Sequence, residues 1–302
     1  MSVKSFCSFA AVAVMSVFIA SCGSSGSSSS TETPSTPPVT GYNVELLQPA
    51  MGFVTGKSAF QIRVTKKSDG SAATGLASQI TLYPLMHMTS MSHTSPVPAD
   101  AVTESPTPGV YDCTVFFLMA TMSATDYWDL QVTIAGETAT FNPNVTMSMG
   151  SDTVRATLKN NSDMIMSMGG TMSARSYYLF NDGATSDEHG GEFTLFLATS
   201  QEGLMAMPPL VAGMSIMNMG GTSVQMTINS LELMASIDGM NWEAMTCDAN
   251  ARCSIHVHEF VAGVTADIYV SMKINGNDYT TDGAAASGSN DYATFTVTPG
   301  AM

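Results

Sequence analysis

The stretch from Pro84 to Val97 reads PLMHMTSMSHTSPV and sets Met86, His87, Met88, Met91 and His93 within eight positions, with no charged residue among them. Thioether sulfur is a soft ligand that never carries a proton. It suits Cu(I) and discriminates against Mg and Ca, which take oxygen. It also forms no disulfide, so it stays available in an oxidising compartment where a thiol would be consumed. Imidazole complements it and serves Cu(II) as well, so a mixed set is competent for either oxidation state. Pro84, Pro96 and Pro98 predict a loop leaving a strand, where side chains can converge. Met119 and Met122, in FFLMATMSATDYW, sit at the next turn along and complete a predicted copper ligand set. The competing reading of the same residues is a solvated apolar loop or an adaptable Met-rich contact surface.

Other residues have weaker claims. A Met-x-Met-Gly phrase recurs at TMSMGSDT (146–153), IMSMGGTM (165–172) and IMNMGGTS (216–223), at unequal intervals that make no repeat architecture. Alternation puts Met164, Met166 and Met168 on one strand face, which reads equally as half a core or as a second copper patch. Met147/Met149 and Met217/Met219 carry the same ambiguity, and the Gly after each pair leans them to the surface. His256 and His258 share one face of CSIHVHEF beside Glu259 and would suit Cu(II) or Zn. Two ligands are too few for a closed site, so this reads as an exposed strand face. His189 reads as a solvated loop residue. No catalytic signature appears: Cys113 has no histidine close downstream for a blue-copper site, and no nucleophile elbow, zinc helix or phosphate loop is present, so the chain is read as no enzyme.

The elements that must hold these ligands are strands. Phe60, Ile62 and Val64 alternate with polar neighbours, as do Ile80 and Leu82. Tyr111, Cys113, Val115 and Phe117 share one face, and Trp128, Leu130, Val132 and Ile134 another. Cys113 lies in phase with its buried neighbours and is read as a structural thiol. Later runs continue the pattern in DTVRATLKN, EFTLFLA, ADIYVSMKI and YATFTVT, with no helical period. The prediction is all-β, in tandem β-sandwich modules at 42–146, 147–222 and 223–302, with two modules as the alternative. Cys247 and Cys253 bracket DANAR and are placed to close a disulfide across a hairpin, although spacing alone fixes no pairing.

The run of a strand, a Pro/Met/His-rich loop and then GVYDCTVFFLMATMSATDYWDLQVTI resembles the YtkA-like (FixH-like) family of exported β-sandwich domains. Pro84, Met86, Met88, Met91 and His93 match its loop. Gly109 and Tyr111 match its next strand, Phe116, Phe117 and Met119 its turn, and Trp128 and Leu130 its Trp-x-Leu strand. The likeness covers residues 43–146, about a third of the chain. It implies an immunoglobulin-like fold and a copper-related role.

The N-terminus reads as an export signal. Lys4 precedes the apolar run FCSFAAVAVMSVFIA, too short to span a bilayer as a stable helix, and Ile19-Ala20-Ser21-Cys22 resembles a bacterial lipobox. The likeness implies removal of residues 1–21 and a lipid on Cys22, tethering the chain to a membrane. In a Gram-negative host that membrane is the outer one, with the protein facing the periplasm or the cell surface. Residues 22–41 are a Gly/Ser/Pro/Thr linker with a coil reach on the order of 25 Å. The 25 acidic against 10 basic residues give a net charge of −15, which repels nucleic acid and concentrates cations. The expected partners are the membrane through its lipid, a copper ion and a copper-handling or surface protein. The alternative function is a metal-free cell-surface interaction or scaffold lipoprotein.

Overall fold

The computed structural model describes residues 41–301 apart from 90, 124, 167–169, 202–206, 218–221 and 289. The predicted signal segment, Cys22 and nearly all of the linker lie outside the described residues, as do Met168 and Met219. Among the described residues the secondary structure is all-β with a single 3₁₀ turn, and no helix is long and apolar enough to cross a membrane.

Two four-stranded antiparallel sheets enclose the first core. One runs in the order Tyr42–Leu47, Gly56–Lys66, Val110–Phe117, Val102–Glu104; the other Ser92–Thr94, Ile80–His87, Tyr127–Ile134, Glu137–Phe141. Period-two alternation explains the packing, since Ile62, Val64, Tyr111, Cys113 and Val115 turn inward from one sheet. Ile80, Leu82, Trp128, Leu130, Val132 and Ile134 meet them from the other. The Tyr111 hydroxyl donates to the Ala73 carbonyl at 2.7 Å and accepts the Leu76 N–H at 3.2 Å, which pins the 67–79 connection onto this core. Gly109 enters the inward strand at φ +75°, and a Cβ there would lie 2.9 Å from the Val64 carbonyl. Only glycine fits that approach.

A second core lies between two further sheets. The first runs Arg155–Leu158, Tyr177–Asp187, Gly190–Thr199, Arg252–Val257, Thr246–Cys247; the second Glu243–Ala244, Leu231–Ser236, Ala266–Ile274, Asn277–Tyr279. Strands from both sides of position 222 therefore share one sheet and one core, in which Leu158, Phe193, Cys253, Ile268 and Phe295 all take part. The physical reason is the Gly190–Thr199 strand, which is buried along most of its length and so needs strands on both edges and a layer above. Its partners come from before and after the predicted joint. Cys247 and Cys253 stand opposite one another in the hairpin ladder and are disulfide-bonded.

Phe116 joins the two cores. It points away from its own sandwich yet is fully buried, stacked on Phe196 at 4.5 Å and tilted against Phe180 at 5.3 Å. Beside it the Asp182 carboxylate is ion-paired with Lys57 Nζ at 2.7 Å and accepts from Arg252 Nε at 2.6 Å. Lys57 Nζ also donates to the Asp182 main-chain carbonyl at 2.6 Å, and Arg252 Nη1 reaches Asp100 at 2.5 Å.

Candidate metal centre

Pro84 to His87 belong to a strand, not to the predicted loop. The Ile80–His87 strand runs through Pro84 because a residue's N and C=O point to the same neighbour, and Pro84 aims both at the side where Ser95 donates to its carbonyl at 3.3 Å. The ladder to Tyr127–Ile134 on the other side loses nothing. Beyond His87 the chain turns back as a hairpin: Met86 stands opposite His93, and the Met88 N–H donates to the Met91 carbonyl at 3.0 Å.

That register decides which side chains meet. Residues opposite one another, and those two apart, share a face. Met86, Met88, Met91 and His93 therefore lie on one face of the hairpin, and Met86 is also directly opposite Trp128 on its other flank. They form a gradient from core to surface. Met86 is fully buried, Met88 is partly buried against the same core, His93 is half-buried and Met91 is 45% exposed. Met86 thus forms the floor of the cluster inside the hydrophobic layer, and the more exposed side chains stand above it. Met119 leans in from the segment after Val110–Phe117, packs on the core and brings its Sδ to 3.2 Å from His93 Nε2.

Both ring nitrogens of His93 face acceptors: Nδ1 lies 3.0 Å from the Thr94 carbonyl and Nε2 3.2 Å from the Met119 thioether. A neutral ring carries one hydrogen and so satisfies one of the two. With that hydrogen on Nδ1, donated to the carbonyl as the stronger acceptor, the Nε2 lone pair faces sulfur and is open to a soft metal ion. The Trp128 ring holds the imidazole edge-on at 5.7 Å and 85°, and Phe117 packs on Trp128 at 4.9 Å. The Trp128 indole N–H is buried with no hydrogen-bond partner among the described residues.

Two predicted ligands fall outside this face. His87 points to the opposite side, where its Nε2 meets Asp129 Oδ2 at 2.9 Å and its ring stacks on Tyr127 at 4.6 Å. Odd and even residues of a strand diverge, so His87 cannot join Met86 and Met88. Met122 is 74% exposed and does not pack on the core that carries Met119. Sequence reasoning missed Trp128 as a wall of the site and the Thr94 carbonyl as the group that orients His93. The inward phase of Trp128 was visible, but its place opposite Met86 depends on register.

Other titratable groups stand apart from this cluster. Cys113 is buried, and burial pushes its thiol up to about 12, so the thiol stays protonated at neutral pH. His189 is exposed and paired with Glu188 at 3.4 Å. Among the described residues no three His, Cys, Asp or Glu side chains gather around one point, so a metal held here uses thioethers. No protein-family model matches the chain and no curated protein is similar to it; the likeness to the YtkA-like family rests on the residue pattern of 43–146 alone.

Proposed function

We propose that this is an exported, lipid-anchored copper-binding protein that carries Cu(I) for delivery, buffering or resistance, with an immunoglobulin-like, YtkA-like first sandwich as the carrier. His93, Met119 and Met88 are the ligands, Met91 closes the set from the exposed end, and Met86 underlies it. The observation that carries the reading is the approach of His93 Nε2 to Met119 Sδ at 3.2 Å, a nitrogen and a sulfur that both ligate soft metals. The donor set fits the ion, since sulfur and one neutral imidazole nitrogen match a soft monovalent metal and no carboxylate stands among them. The Thr94 carbonyl supplies the outer hydrogen bond that keeps such an imidazole in the ligating tautomer.

A second reading, a metal-free surface scaffold, draws on Met51, Met122, Met147 and Met149, which are 65–91% exposed and away from this cluster. Titration of Cu(I), under reductant, into the purified chain against a competing chromogenic chelator separates the two. We expect one sub-micromolar site that is lost in the His93→Asn/Met119→Leu double variant and kept in His87→Asn and Met122→Leu. Absence of binding, or binding indifferent to the double variant, refutes the copper reading and leaves the scaffold.

A further inference from the structure

We propose that His256 and His258 form a second metal site, for a divalent ion of the Cu(II), Ni(II) or Zn class, separate from the thioether cluster. The two histidines lie at the C-terminal end of the Arg252–Val257 strand, where its outer neighbour, Thr246–Cys247, reaches only as far as Ser254. Beyond that point the strand has a free edge. Val257 turns into the core, so His256 and His258 both turn out, and their rings stand 4.7 Å apart at 80°.

Their surroundings separate them from the other three histidines. His87 is held by Asp129, His93 by Thr94 and Met119, and His189 by Glu188. Among the described residues neither His256 nor His258 has a hydrogen-bond or ion-pair partner, so the ring nitrogens of this pair are open. Gly190, across the ladder at φ +118°, leaves room beside His256, where a Cβ would lie 3.2 Å from Nε2. The pair lines an open cleft of about 120 Å³ together with Asp238, Asn241, Glu243 and Glu259. N–H groups of Asn241 and Met240 hold the Asp238 carboxyl well below the usual range, so it stays charged and the cleft attracts cations.

The chemistry chooses the class of ion. Two imidazoles suit Cu(II), Ni(II) and Zn, and the affinity order favours Cu(II). Glu192 stands opposite His256 in the ladder, where its carboxylate accepts from the Thr194 hydroxyl at 3.3 Å and is not gathered with the imidazoles. Water fills the remaining positions, which makes the site exchangeable. It shares no residue with the thioether cluster and stands or falls independently of it.

The test is titration of Cu(II), without reductant and against glycine as competitor, into the tag-free whole chain, read by electron paramagnetic resonance. The wild-type chain is expected to bind with nitrogen hyperfine coupling. His256→Asn/His258→Asn removes the chelate and is expected to lower the affinity at least about tenfold and to abolish that coupling. His87→Asn, at a residue of neither site, is expected to leave both unchanged. No Cu(II) uptake, or uptake that survives loss of His256 and His258, overturns the proposal. Uptake lost only in the His93/Met119 variant overturns it too and assigns both oxidation states to the hairpin, whereas a failed Cu(I) titration leaves this result untouched.

Discussion

Phe116→Ala is the sharpest test of how the two cores hold together. The side chain is fully buried in the second core although its strand belongs to the first, and it stacks on Phe196 at 4.5 Å. A buried aromatic removes about 200 Å² from water, worth about 5 kcal/mol at about 25 cal/mol per Å². Phe→Ala losses in cores run about 3–5 kcal/mol once partial collapse of the cavity is included. With a urea slope of about 2 kcal/mol per molar, that moves the midpoint down by about 1.5–2.5 M. Two tryptophans report the two halves: Trp128 lies in the first core, and Trp242 packs on Tyr292 beside the second at 5.7 Å. Urea unfolding is followed in Trp128→Phe and Trp242→Phe backgrounds. In Phe116→Ala the transition seen by Trp242 should move to lower urea ahead of the one seen by Trp128. A common shift of both probes worth less than about 1 kcal/mol would refute the idea that Phe116 is a shared core residue.

Three further outcomes rest on the same geometry. Met86→Leu keeps the volume of a fully buried side chain and should cost under about 1.5 kcal/mol, while Met86→Ala should cost about 2–5 kcal/mol in denaturant unfolding. Asp182→Asn leaves Lys57 and Arg252 facing an uncharged, nearly buried partner and should cost about 3 kcal/mol, the low end for a broken buried pair because Lys57 is 42% exposed. Alkaline pH should destabilise the fold. Burial pushes the Cys113 thiol and the Tyr279 hydroxyl each up to about 12, and pushes Tyr177 up as well. Groups raised in the fold stabilise it fully below their unfolded values, about 8.5 for Cys and about 10 for Tyr, and that stability is lost as pH rises past them. Cys113 alone contributes a fall of about 1.4 kcal/mol per pH unit above about 8.5, and Tyr177 and Tyr279 steepen the fall above about 10. A urea midpoint that stays flat from about pH 8.5 to about 11 contradicts this.

The strands of the first sandwich were legible because each has one wet face. Trp128, Leu130, Val132 and Ile134 alternate with polar residues, and all four are buried; Phe60, Ile62, Val64 and Cys113 behave in the same way. Where both faces are dry the period vanishes. Phe116 and Phe117 are adjacent; phase assigns Phe117 to its own sandwich, but nothing in the sequence tells that Phe116 enters another core. The candidate site was half legible. Residue types announced soft ligands, but only the hairpin register puts Met86, Met88, Met91 and His93 on one face and turns His87 away. The prolines misled, since Pro84 aims its missing N–H at the one side where the ladder already ends.

The methionine excess also finds a physical logic in where the sulfurs stand. Among the described residues Met86, Met245 and Met272 alone are buried, whereas Ile62, Ile134, Ile216, Ile228, Ile268 and Ile274 sit at 0–1% exposure. A core that used Met as filler would show the reverse. In the hairpin formed by Met164–Met166 and Met172–Ala174, Ile165 is the buried anchor, while Met164 and Met172 are 37% and 55% exposed on the opposite face. Ile216 anchors the Ser215–Met217 strand likewise, and Met217 turns the other way. In Met164-Ile165-Met166 the middle residue holds the backbone down, and Met164 faces outward. Exposed thioether is open to oxidation and gains little from burial, so holding it at the surface by an isoleucine is costly unless the sulfur itself is used.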